Sequence, residues 1–127
     1  MPPVHPRIRR AFNQVAERFV ARGLLKWVPT VEYGKPHKFP RSRDCAFTDG
    51  RTVRVARKMD RADTATLWGV LAHELGHCVA IQHGWNDHTE VDADDLAGIG
   101  VGERIGYDAH DIQRLHAWKR RPPYLPK

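Results

Sequence analysis

The segment His73-Glu74-Leu75-Gly76-His77 lies inside an otherwise apolar run from Leu67 to Ile81. Leu67, Trp68, Leu71, Leu75, Cys78 and Val79 make one broad apolar face of a helix expected from about Ala65 to Ile81. A helix this apolar nearly all round belongs in a protein interior. Two histidines and a glutamate buried there without partners would cost several kcal/mol. Histidines four apart on a helix stand about 40° apart around its axis, so both imidazoles can reach one cation from one face. Glu74 stands about 100° round from His73, which suits a base acting on metal-activated water better than a third ligand. The spacing therefore points to His73 and His77 as ligands of Zn2+ and to Glu74 as a general base. The bland alternative is a pair of satisfied core histidines with a salt-bridged glutamate.

The remaining composition bounds what such a site can belong to. A chain of 127 residues with 41% hydrophobic and 28% charged residues suits a single soluble domain, 1–127. No apolar run is long enough to cross a bilayer. The start, Met1-Pro2-Pro3-Val4-His5-Pro6-Arg7, has no signal-peptide core, so the expectation is a cytoplasmic protein with no membrane partner. Two cysteines, Cys45 and Cys78, are too few for a disulfide scaffold, and Cys78 is expected as a buried thiol. The net charge of +6 is uneven: residues 1–61 hold 15 Lys/Arg against 5 Asp/Glu, and residues 62–127 hold 6 against 10. No nucleic-acid module accompanies the basic half, so it reads as a solvated face and nucleic acid is not an expected partner.

Taken in order, Arg7 to about Arg22 is a helix whose stripe is Ile8, Ala11, Phe12, Val15, Ala16, Phe19 and Val20, closed by Gly23. Trp27 to Tyr33 reads as a strand with Pro29 near its start. Cys45–Thr48 and Arg51–Ala56 around Asp49-Gly50 carry a hairpin signature. Asp63 or Thr64 is expected to cap the long helix. His83-Gly84-Trp85-Asn86-Asp87 breaks it, and Thr89 to Gly98 forms a short acidic helix or a loop. Gly98, Gly100, Gly102 and Gly106 predict a flexible stretch, and Asp108 caps a last helix from Ala109 to about Lys119.

His73-Glu74-Leu75-Gly76-His77-Cys78-Val79-Ala80-Ile81-Gln82-His83 resembles the metzincin zinc signature H-E-x-x-H-x-x-G-x-x-H. Arg7–Phe12 and Tyr107–His116 are similar to the first and closing helices of matrixin-type metzincins. The resemblance implies an α+β zincin-like fold. In it a small mixed sheet packs on an N-terminal helix and a buried zinc-binding helix, and a C-terminal helix closes the domain. It implies His73, His77 and His83 as zinc ligands and Glu74 as the base. Two positions depart from that family: its turn glycine is Ala80 here, and the methionine expected beneath the metal is missing, since the chain has only Met1 and Met59. A second resemblance competes for the third ligand. Glu90-Val91-Asp92-Ala93-Asp94-Asp95-Leu96-Ala97 is similar to the gluzincin glutamate helix E-x-x-A-D/N-x-x-A. It implies Glu90 as the ligand and Asp94 as the group orienting a ligand histidine. His88 is a further option.

Both resemblances imply a zinc metalloendopeptidase acting on a peptide or protein substrate, expected as a monomer. Tyr107, His110 or His116 is expected to stabilise the oxyanion, with Tyr107 preferred, and the hairpin of residues 45–56 to offer an edge for an extended peptide. The rival class is a non-catalytic zinc-stabilised binding domain, for which four protein ligands would close the site.

Overall fold

The computed structural model describes residues 3–40 and 44–101. Helix α1 (Pro6–Ala21) starts where His5 Nδ1 accepts the Arg7 backbone N–H at 3.1 Å and where Pro6 has no N–H to leave unpaired. Its expected stripe is buried from Ile8 to Phe19, while Val20 is half exposed. Gly23, at φ 72°, turns the chain away as a left-handed cap.

Strand β1 (Thr30–Tyr33) is shorter than the apolar pattern predicts. Trp27 and Val28 remain exposed before Pro29, and the Trp27 carbonyl accepts from Gln82 Nε2 at 2.8 Å instead of joining a ladder. Strands β2 (Ala46–Thr48) and β3 (Thr52–Val55) form the expected hairpin. Asp49 Oδ1 accepts the N–H groups of Arg51 and Thr52 at 2.9 and 3.0 Å, and Gly50 takes φ 94°. The sheet order is β1-β3-β2, with β3 parallel to β1 and antiparallel to β2. Val53 and Val55 of the central strand are fully buried, and β2 is left as an edge strand.

Helix α2 (Thr64–Gln82) is capped by Asp63, whose Oδ1 accepts the Thr66 N–H at 2.7 Å. Leu67, Leu71, Leu75, Cys78 and Val79 are buried, as the apolar pattern requires. The helix ends at Gln82, and Gly84, φ 78°, turns the chain away where the Trp85 N–H returns to the Ala80 carbonyl at 2.9 Å. Helix α3 (Glu90–Val101) begins at a reciprocal cap: the Thr89 N–H donates to Asp92 Oδ2 at 2.9 Å, and the Asp92 N–H donates to Thr89 Oγ1 at 3.2 Å.

The expected flexible stretch is corrected at its first two glycines. Gly98 and Gly100 lie inside α3 and are buried. A Cβ on Gly100 would stand 2.4 Å from the Phe19 ring, so the missing side chain is what lets α3 lie against α1. Gly102, Gly106 and the helix expected from Ala109 fall outside the described residues. Those that are described form a small α+β fold of three helices and a three-stranded mixed sheet. None of their helices is long and apolar enough to cross a membrane.

Candidate metal centre

Helix α2 sets His73 and His77 one turn apart, and the turn through Gly84 brings the start of α3 back across them. His73 Nε2 and His77 Nε2 are 3.2 Å apart. Glu90 Oε2 lies 2.6 Å from the first and 3.1 Å from the second. Donors at zinc bonds of 2.0–2.1 Å occupy tetrahedron corners about 3.3 Å apart, so two sides of this triangle already match Zn2+ and the Glu90 carboxylate would have to swing about 0.7 Å away from His73 Nε2 to complete it.

Hydrogen bonds behind the histidines orient their lone pairs. Asp94 Oδ1 lies 2.5 Å from His73 Nδ1, which must donate because a carboxylate can only accept. His77 Nδ1 lies 2.7 Å from His88 Nε2, and His88 Nδ1 lies 2.8 Å from the Trp85 carbonyl. The carbonyl fixes the direction of this relay: His88 donates to it through Nδ1, so His88 Nε2 accepts from His77 Nδ1. These partners favour a proton on Nδ1 of each histidine and leave Nε2 facing inward, the arrangement a metal ligand would need.

Burial opposes charge on His73, but its hydrogen bonds to Asp94 and Glu90 prevail and raise it to about 10. The same contact with His73 holds the Glu90 carboxyl down to about 2. Burial and the charge on His73 lower His77 to about 4. The contact with Glu90 thus favours a proton on His73 Nε2. A divalent cation would replace that proton.

Glu74 stands beside the triangle, and His73, Glu74 and His77 offer ligand atoms within 4.8 Å of one another. It is 6% exposed, and its Oε2 is buried with no hydrogen-bond partner. Burial chiefly, with the negative charges of Glu90 and Asp44 adding, raises it to about 7, although the charge on His73 opposes the shift. The four groups open on a cleft of about 660 Å³. Ala46, Phe47 and Thr48 of the edge strand β2 also line it.

The structure does not bring His83 to this centre. Its Nε2 lies 2.9 Å from the Leu24 carbonyl. The physical reason lies in the departures noted in the sequence. With Ala80 in place of a turn glycine, α2 continues regularly to Gln82, and no residue other than glycine takes a positive φ among the described residues. Six residues along a helix place His83 about 120° round and about 9 Å up the axis from His77. Comparison of the chain with known protein families, curated proteins and solved structures finds no match.

Of the other candidates, Glu90 and Asp94 occupy the ligand and orienting positions that the second resemblance implies. His88, considered only as a ligand, instead supports His77 from behind. Its signal in the sequence was weak, because the helix ends between His77 and His88 and no periodicity carries across the break. Cys45 and Cys78 are both free thiols, and Cys78 is fully buried. Tyr107, His110 and His116 lie outside the described residues.

Proposed function

We infer that the protein is a zinc-dependent peptidase in which His73, His77 and Glu90 hold the metal and Glu74 is the general base. One observation carries this reading: Glu90 Oε2 meets the inward Nε2 atoms of both histidines, while the buried Glu74 carboxylate beside them lacks a hydrogen-bond partner. Zinc bound there would supply an acidified water and polarise the scissile carbonyl. Asp94 and His88 keep the histidine rings in register. Glu74, raised toward neutral pH by burial, takes a proton from the attacking water and delivers it to the leaving amine. Strand β2 pairs with β3 on one edge and its residues line the cleft, so an extended peptide that added to its free edge could lay a carbonyl over the centre.

The same features favour a zincin-like fold of the glutamate-helix type over the three-histidine type. They also favour catalysis over a closed structural site. His83 is engaged with Leu24, and among the described residues the centre opens on a cleft rather than on a fourth ligand.

The test is turnover of an extended fluorogenic peptide library by the zinc-loaded protein. Glu74→Gln should lower kcat at least about a hundredfold while zinc remains bound, the range expected for removing a general base. Turnover by Glu74→Gln at the parent rate would overturn the mechanism. Full zinc affinity after His73→Ala would overturn the site.

A further inference from the structure

Within the His73–His77 segment Leu75 packs in the core, and Gly76 has neither a side chain to pack nor a role in the chemistry above. It lies on the side of α2 that α3 crosses. A Cβ built on it would stand 2.3 Å from the Ala93 carbonyl oxygen, 3.1 Å from the Ala93 carbonyl carbon and 3.2 Å from Ala93 Cα. The obstacle is helix backbone, which cannot swing aside as the end of a side chain can. Ala93 is itself fully buried, and its N–H is committed to the Thr89 carbonyl at 3.0 Å. The turn of α3 in contact with Gly76 is also the turn that bears Glu90 and Asp94, the two carboxylates that meet His73.

We propose that Gly76 is a positioning residue, whose missing side chain sets the approach of α3 to α2 and so holds Glu90 and Asp94 within reach of the metal centre. Real side chains do not tolerate a Cβ contact under 3.0 Å, so any side chain at 76 must move the Ala93 backbone away by at least about 0.7 Å. A shift of that size moves the backbone that carries both carboxylates at once, Glu90 beside His73 Nε2 and Asp94 beside His73 Nδ1. Gly76 thereby couples backbone packing to ligand geometry: the residue between the two histidines sets the place of the ligand that comes from the other helix. The proposal rests on Glu90 being a ligand.

The experiment measures zinc affinity by chelator competition, and the Co2+ absorption spectrum, for the full chain and for Gly76→Ala, Glu90→Gln and the double variant. Gly76→Ala should weaken zinc by about tenfold to a hundredfold and change the Co2+ spectrum. In the double variant it should cost little beyond Glu90→Gln alone, because the positioned ligand is already gone. Leu96→Ala, which loosens the core without adding bulk at Gly76, should lower the melting temperature in chelator yet leave zinc affinity near that of the parent. Parent-like zinc affinity and Co2+ spectrum in Gly76→Ala would overturn the proposal while leaving Glu90 as a ligand. Parent-like affinity in Glu90→Gln would overturn the ligand assignment itself.

Should Gly76→Ala fail to fold, Glu90→Asp tests the same lock. Its shorter side chain withdraws the carboxylate, and an α3 held against Gly76 cannot follow. A loss of affinity comparable to Glu90→Gln supports the lock. Retained affinity refutes it.

Discussion

At the scale of single residues, the centre depends on where each proton resides. His73 and His77 are made into inward-facing donors by groups that can only accept, the Asp94 carboxylate directly and the Trp85 carbonyl through His88. Glu74 is different, since its buried Oε2 accepts no hydrogen bond and burial, against the pull of the charge on His73, holds its pKa up to about 7 from 4.5. Such a carboxyl binds its proton more tightly folded than unfolded. The stability it contributes is present below about pH 4.5 and is lost as pH rises through about 7. In the metal-free protein, Glu74→Gln removes that loss. Relative to the parent, the variant should gain roughly 2–3 kcal/mol of stability between about pH 4 and pH 8. Denaturant titrations of both proteins with chelator present, at several pH values, measure it. A pH-independent difference would mean that Glu74 is not held in its neutral form.

At the scale of elements, the surprises lie in the helix pairs. The apolar stripe of α1, the Asp49-Gly50 hairpin and the Asp63 cap of α2 were legible because each is a local rule acting over a few residues. Gly98 and Gly100 were not. Local propensity disfavours glycine in a helix by about 1 kcal/mol each, and only the Phe19 ring packed against Gly100 shows why the helix runs on. Gly100→Ala should therefore destabilise the protein by about 1–3 kcal/mol despite the better helix propensity of alanine. A urea denaturation curve checks this, and a variant as stable as the parent would show that α1 and α3 can separate freely. β1 shows the converse case. Val28 fits a strand pattern, yet it stays outside the sheet because the ladder with β3 begins only at Thr30 opposite Thr52.

At the scale of the whole molecule, the centre joins α2 to α3 in a cleft that the edge strand also lines, so a metal bound there would link binding to folding. Zinc at a hundred times its dissociation constant should add about 2.7 kcal/mol of stability, seen as a rise of several degrees in melting temperature. His83→Ala should keep that rise, since His83 is bonded to the Leu24 carbonyl, while His73→Ala should abolish it. Differential scanning calorimetry with and without zinc gives the comparison. Loss of the zinc-induced rise in His83→Ala would restore the three-histidine assignment.

The sequence by itself determined a buried helix and, on it, a pair of histidines and a glutamate that burial would otherwise penalise. Periodicity and desolvation act through near neighbours, so both can be read from spacing alone. The identity of the third donor was different. His83 and Glu90 were both plausible by pattern, and the choice depends on whether α2 unwinds at Ala80 or continues to Gly84. It also depends on how closely α3 returns. Those are questions of packing between residues far apart in the chain, and only the tertiary structure answers them, with Gly76 against Ala93 and Glu90 against both histidines.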